Sequence, residues 1–358
     1  MDGLIGIRFG DWVSVLAENH FAVSPKRLLP AGFITARSIF NSWAGWKERR
    51  MFDAQVAGVE VREPIFVLGH WRSGTTLLHN LLVTDQQFAF PNAFETSNPL
   101  TFLRLEKIVA RKLGEATTRR PQDNVEYGMF SPGEDEFGIC AMSLRSPVMG
   151  WNFPRREEYY DRYLTFRGVP EAEVREWRKA LLDFLKKLTW KYQRPLILKS
   201  PQHTCRIRLL LEMFPDARFI HIHRNPYDVF HSTLKLYEKV ISQNHLHAHP
   251  HEEQITDILL RRYSEMYDAF FAERGLIPAG RYHEVGFEEL ERDMVGQVQR
   301  IYESLSLPGF AAHEPELRQY TDSLTDYQKN VHPKLDDALR RKIAQSWRRS
   351  FEEWNYPV

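Results

Sequence analysis

The sequence predicts an α/β fold: a P-loop-type parallel sheet flanked by helices, with helical additions at the N- and C-termini. Three observations predict it. Short apolar runs at residues 64–68, 196–198 and 219–222 alternate with helical patterns, the signature of a parallel sheet covered on both faces. Gly69, Lys199 and Arg224 each stand at or just after the end of one of these runs, where open parallel sheets gather their ligands. The stretch PIFVLGHWRSGTTLLHN reads as strand, tight loop and helix, so that loop amides and a helix N-terminus face an anion.

Taken in order, residues 1–60 are read as a helical extension packed on the main domain, 61–358. Phe33, Ala36, Ile39, Phe40 and Trp43 mark one apolar face there, expected to pack inward, with a membrane-surface or partner helix as the alternative. Residues 64–68 form a buried strand, 69–74 the loop, and Thr75 opens a helix. Residues 88–151 are rich in Pro, Gly and Asn, with one helical run around 103–113; such a long irregular stretch is expected to carry substrate contacts. Val174, Trp177, Leu181, Phe184, Leu185 and Leu188 then mark the buried stripe of an amphipathic helix. Strands at 196–198 and 219–222 flank a helix at 207–213. Asn225 and Pro226 are an N-cap and first-turn pair for a helix to about Ser242. Residues 282–285 are a further strand, followed by a helix to Leu305. After a loop at 323–333, Leu339, Ile343, Trp347 and Trp354 mark a last amphipathic helix.

Composition narrows the function. At 358 residues and 43% hydrophobic the chain can bury a sizeable core. Lys and Arg total 48 against 47 Asp and Glu, a net +1, which gives no whole-chain case for a nucleic-acid partner or an acidic membrane. Any anion site must be local. Two cysteines, Cys140 and Cys205, make neither a disulfide framework nor a cysteine zinc site and fit a reducing compartment. No apolar run approaches the roughly 20 residues of a transmembrane span. A cytoplasmic protein is expected, monomer or homodimer, with peripheral membrane contact left open.

The loop departs from an ATP site in an informative way. Gly69, Gly74 and Thr76 keep the Walker A frame, but Thr75 stands where its lysine belongs. The cation has moved to Arg72, and Ser73, Thr75 and Thr76 surround the second glycine. This cradle suits a terminal phosphate with no provision for a magnesium–triphosphate complex. A second anion site is read at FIHIHRNPYDVFHS, where Arg224 leaves a strand and Ser232 lies in the following helix.

RSGTT resembles the phosphate-binding loop of sulfotransferases that use 3′-phosphoadenosine 5′-phosphosulfate (PAPS), and Arg224, Pro226 and Ser232 match that family's 3′-phosphate motif. The resemblance covers roughly residues 60–355 and points to a bacterial-type family related to the tyrosylprotein sulfotransferases. It implies sulfuryl transfer from PAPS to the hydroxyl or amine of a small-molecule acceptor, releasing adenosine 3′,5′-bisphosphate, with no metal. Gly69, Arg72, Ser73, Gly74, Thr75, Thr76, Arg224 and Ser232 would hold the donor, with Lys329 and Asn330 of the late loop approaching the 3′-phosphate. By resemblance Lys199 is a catalytic lysine. Chemistry agrees, because sulfuryl transfer leaves charge on the departing phosphate that Arg72 and Lys199 can stabilise.

A hydroxyl acceptor calls for a general base. The resemblance implies Glu95, at about the distance after RSGTT where tyrosylprotein sulfotransferases carry their catalytic glutamate, with Glu134 and Glu136 of the GEDEF cluster and His203 as alternates; the bland reading of the cluster is a surface acidic run. His245, His247, His249 and His251 are read as a flexible lid over the acceptor site rather than a metal site, since Pro250 and polar flanks argue against a strand that would align them. The rival readings are a P-loop kinase or NTPase and a non-catalytic nucleotide-binding or membrane-surface module.

Overall fold

In the computed structural model, which describes residues 3–113, 117–119, 126–249, 254–324 and 335–358, the segments interleave into two compact units rather than dividing near residue 60. One comprises Met1–Val61, Pro91–Gln193 and Tyr237–Glu252; the other comprises Arg62–Phe90, Arg194–Leu236 and Glu253–Val358.

The second unit holds the parallel sheet. Its strands are β1 (Ile65–Leu68), β4 (Ile197–Lys199), β5 (Arg218–His223) and β6 (Tyr282–Gly286), in the order β4-β1-β5-β6. All three pairings are parallel: Phe66 lies opposite both Leu198 and Phe219, and His221 opposite Glu284. The α/β expectation holds. Side chains alternate across the sheet, and the two faces differ. Ile65, Val67, Ile220, Ile222 and Val285 enter an aliphatic core with Leu78, Leu81 and Ile301. On the other face Phe66 stacks on Phe219 at 5.7 Å and His221 on Phe270 at 4.2 Å. The C-terminal helices Asp337–Ser346 and Arg348–Glu353 close over this unit, with Trp347 stacked on Tyr263 at 3.7 Å. Burying one such large side chain stabilises by about 1.5–3 kcal/mol, so a strand of only three residues, β4, is held by its packing more than by its ladder.

The other unit is mainly helical, with one antiparallel hairpin of β2 (Thr117–Arg119) and β3 (Glu126–Gly128). The expected stripe from Val174 to Leu188 is buried in the helix Glu171–Tyr192. Residues 88–151 are more helical than their composition suggested, with helices at Ala93–Ser97, Phe102–Leu113, Asp135–Ser143 and Val148–Asn152. The long helix Leu28–Ala57 reverses an expectation. Its buried side carries Ala31, Ile34, Ser38, Asn41, Ala44, Gly45, Glu48 and Val56, while Phe33, Ile39, Phe40 and Trp43 lie exposed. The polar inner side is satisfied locally: Asn41 donates to the Ile5 carbonyl at 2.7 Å and Glu48 pairs with Lys187.

The histidine-rich segment is tied down where it is described. His245, His247 and His249 are buried. Ser24 donates its amide to the Leu246 carbonyl, the Leu246 amide donates to Asn152, and His249 Nε2 lies 2.9 Å from Glu157. The flexible-lid reading fails for residues 245–249 because burial and backbone bonding hold them; His251 lies outside the described residues.

Candidate active site

The loop after β1 is built around two glycines that no other residue could replace at this geometry. Gly69 has φ +146° and a Cβ there would lie 2.6 Å from the Ile222 carbonyl oxygen. Gly74 has φ +105° and its Cβ would meet the Phe287 ring at 2.4 Å. Both conformations are costly for any side chain. Between them Ser73 closes the turn: its amide and its hydroxyl both donate to the His70 carbonyl, at 3.1 and 2.8 Å. The Ser73 hydroxyl thus helps hold the loop in shape. Thr204 supports the loop from the segment after β4, accepting the Gly69 amide at 2.7 Å. Thr75 opens the helix Thr75–Leu82, whose N-cap is Gly74, and Thr76 follows it part-exposed.

Arg72 sits in this loop at φ +70°, the left-handed region that costs a non-glycine residue roughly 1–2 kcal/mol. The strained backbone aims its side chain across to the helix Pro226–Leu236, where Arg72 Nε donates to Ser232 Oγ at 2.8 Å. Arg224 Nη1 in turn donates to the Arg72 carbonyl at 3.4 Å, with its guanidinium 4.3 Å over the Phe287 ring and 3.7 Å from Asp228. Two motifs 150 residues apart in sequence are therefore one cluster in space. Lys199 ends β4, opposite Val67 in register and 2% exposed. Because β1 lies between β4 and β5, the glycine loop has Lys199 on one neighbouring strand end and Arg224 on the other.

His70 adds no charge to this basic cluster. Burial pulls it down to about 4, so it is neutral at neutral pH; Nδ1 faces the Trp71 carbonyl at 2.8 Å and the ring packs 4.9 Å from Tyr263. His203 is fully buried with its ring edge-on to Phe66 at 5.2 Å, which makes it a core histidine on the aromatic face of the sheet. Phe287, Thr204 and His70 were all missed by sequence reasoning. Phe287 was within reach, being the aromatic of GFEEL.

The candidate carboxylate bases belong to the helical unit. Glu95 is fully buried at the start of the helix Ala93–Ser97, in a reciprocal capping box with Asn92. Its Oε2 accepts the Asn92 amide at 2.7 Å, and its Oε1 accepts from Lys191 at 2.6 Å and from Tyr192 at 2.9 Å. Glu106 shares Lys191. Burial raises the Glu95 carboxyl above the usual range, with Lys191 opposing. These contacts give Glu95 a structural task and leave no oxygen without a donor. In the acidic cluster, Asp135 and Glu136 are buried rather than at the surface, and Glu136 accepts the Ser146 hydroxyl at 2.6 Å. A helix begins at Asp135 with Glu134 as its part-exposed N-cap, so Glu134 and Glu136 do not share a face. Lys329 and Asn330 lie outside the described residues.

A family model described as the sulfotransferase family matches residues 64–312. The chain belongs to the sulfotransferase family. This sulfotransferase is 34% identical over 353 residues to proteins named omega-hydroxy-beta-dihydromenaquinone-9 sulfotransferase Stf3 from Mycobacterium bovis and Mycobacterium tuberculosis, covering 98% of this chain and 90% of each relative. Among solved structures it resembles sulfotransferase STF9 from Mycobacterium avium, with a TM-score of 0.73 at 19% identity over 96% of this chain and 90% of that one. It also resembles sulfotransferase STF1 from Mycobacterium tuberculosis H37Rv, with a TM-score of 0.62 at 17% identity over 97% and 93%. At those identities the structures speak for the fold. Family membership makes the sulfotransferase a transferase that moves a sulfuryl group from PAPS to an acceptor, and the kinase and non-catalytic readings are not favoured.

Proposed function

We propose that the glycine loop with Arg72 holds the 5′-phosphosulfate of PAPS and that Arg224 and Ser232 hold its 3′-phosphate. The observation that carries this is the Arg72–Ser232 hydrogen bond, which joins the two anion motifs in one basic cluster. The cluster fits the donor chemically: guanidinium and hydroxyl groups face anions well, and the missing Cβ atoms of Gly69 and Gly74 let backbone amides approach. Arg72 and Lys199 stabilise the negative charge left on the departing phosphate. Thr75 and Thr76 contribute from the helix N-terminus, with Lys329 and Asn330 as further donor contacts.

For the acceptor we infer a hydroxyl on an apolar, lipid-like small molecule. Support comes from the printed name of the relative that matches nearly the whole chain. Among the described residues no helix is long and apolar enough to cross a membrane. Cys140 and Cys205 are both buried thiols, in keeping with the cytoplasmic location proposed for the enzyme, which we take to act as monomer or homodimer. As general base we propose Glu134, because a base must be reachable by the acceptor proton and Glu134 is part-exposed whereas Glu95 and Glu136 are fully buried.

The test is a mass-spectrometric screen of hydroxylated quinones, phenols and sterols with PAPS as donor, repeated on two variants. Glu134→Gln should lower turnover roughly 10²–10⁴-fold with donor binding intact. Glu95→Gln should instead lower stability by about 1–3 kcal/mol through its lost charge-assisted contacts, with turnover per folded molecule near wild type. A Glu95→Gln protein that melts normally and has lost turnover would return the base to Glu95. Transfer only to amines or polar sugars would overturn the acceptor reading.

A further inference from the structure

The helix Leu28–Ala57 wears its apolar side outward. Leu29 is 88% exposed, Phe33 56%, Trp43 49% and Trp46 46%, with Phe40 and Ile39 beside them. Spacings of three and four put these residues on one face, opposite a buried side that is mostly small and polar apart from Ile34 and Val56. A core-facing stripe would show the reverse pattern. Phe9 and Val13 of the helix Phe9–Glu18 are also exposed, and the Phe9 amide donates to Ser42 Oγ, next to Trp43.

The charge beside this face is mainly positive, with the exposed Asp53 at its far end. From Phe21 to Phe52 the chain carries Lys26, Arg27, Arg37, Lys47, Arg49 and Arg50. Its one carboxylate there, Glu48, is buried and paired with Lys187. The Lys47 ammonium lies 4.0 Å over the Trp43 ring and the Arg50 guanidinium 4.8 Å over Trp46, so cations and indoles form a single mixed surface. A cleft of about 550 Å³ opens next to Trp46; its walls carry Arg8, Arg49, Lys179, Lys186 and Lys187 together with Glu48, Asp53 and Asp183, and Asp183 and Glu48 pair with Lys179 and Lys187.

We propose that this face is a docking surface for an anionic lipid bilayer. Exposed indoles and phenyl rings suit the headgroup level of a membrane, and flanking Lys and Arg suit its anionic phosphates. Charge complementarity selects the bilayer over a second copy of the chain, since a two-fold contact through this stripe would bring cations against cations. The inference goes beyond the acceptor reading and does not rest on it.

Vesicle co-sedimentation of the full chain tests it. The protein should sediment with vesicles of phosphatidylglycerol and phosphatidylcholine, stay in solution with phosphatidylcholine alone, and detach as salt is raised. Inorganic phosphate at millimolar concentration should not compete, which separates a membrane surface from a free-phosphate site. The double variants Trp43→Ser/Trp46→Ser and Arg49→Glu/Arg50→Glu should each weaken vesicle partitioning roughly tenfold or more. Both should keep the wild-type melting temperature and affinity for adenosine 3′,5′-bisphosphate. Absence of binding to anionic vesicles, equal binding to neutral ones, or folded variants that sediment like wild type would overturn the proposal. A concentration-dependent dimer abolished by Trp43→Ser/Trp46→Ser would assign the face to a second copy instead.

Discussion

Replacing Lys199 by alanine is expected to lower kcat roughly 10²- to 10³-fold, the scale for losing one preorganised stabiliser of developing charge. Affinity for adenosine 3′,5′-bisphosphate should change little. The reasoning is differential binding: an ammonium that meets its full partner charge only as the sulfuryl group leaves contributes to the transition state and hardly to the ground state. Lys199 is placed for this. It terminates β4 next to the loop-bearing strand and is almost fully buried, so its position is fixed by the sheet rather than by a mobile side chain. Single-turnover rates at saturating PAPS, with donor affinity measured in parallel, check the split. A variant that binds the donor poorly but turns over normally once saturated would make Lys199 a binding residue.

Gly69→Ala should affect both stability and donor binding. The added Cβ would lie 2.6 Å from the Ile222 carbonyl oxygen and 2.7 Å from Ser73 Oγ at a φ of +146°. A backbone carbonyl in a parallel sheet cannot move aside as a side-chain end can, so the loop itself must shift. Overpacking at a well-packed site costs about 1–3 kcal/mol, and the strained φ adds to it. The shift displaces the Ser73 turn and with it Arg72. Donor affinity should fall at least roughly tenfold, equivalent to about 1.4 kcal/mol. Thermal melting and calorimetry with adenosine 3′,5′-bisphosphate read the two effects separately. Wild-type values for both would show that the loop does not depend on this close approach.

What was legible in the sequence is what depends on local spacing. The strand–loop–helix of the glycine loop, Lys199 at a strand end, and Arg224 with Ser232 at a helix start each need only a few neighbouring residues, and the structure places all of them in the sheet-bearing unit. Partners contributed from far along the chain were not legible. Periodicity found the stripe of Phe33, Phe40 and Trp43 but carries no information about which side meets a neighbour, and here the inner side is the mostly small and polar one, with Ile34 and Val56 as its large apolar residues. Nor did an acidic run in a Gly- and Pro-rich stretch show that Asp135 and Glu136 would be buried, with Ser146 serving Glu136. Glu95 is the case where a local signal was present and overlooked. Asn92 three residues before it is a capping-box spacing, which already announced a structural use for that carboxylate. The alternating histidines suggested a mobile segment, whereas bonds from Ser24, Asn152 and Glu157 hold residues 245–249.

The central claim is that Arg224 and Ser232 read the 3′-phosphate of the donor while the glycine loop reads the 5′ side. Isothermal calorimetry with adenosine 3′,5′-bisphosphate and adenosine 5′-monophosphate, magnesium chelated, tests it most directly when run on wild type and on Arg224→Ala. The wild-type protein should bind the bisphosphate at least roughly tenfold tighter, since charge-assisted contacts to the extra phosphate contribute about 1.5–3 kcal/mol. In Arg224→Ala most of that preference should vanish, with affinity for the monophosphate little changed. A variant that keeps the full wild-type preference, or that loses both nucleotides equally, would contradict the assignment.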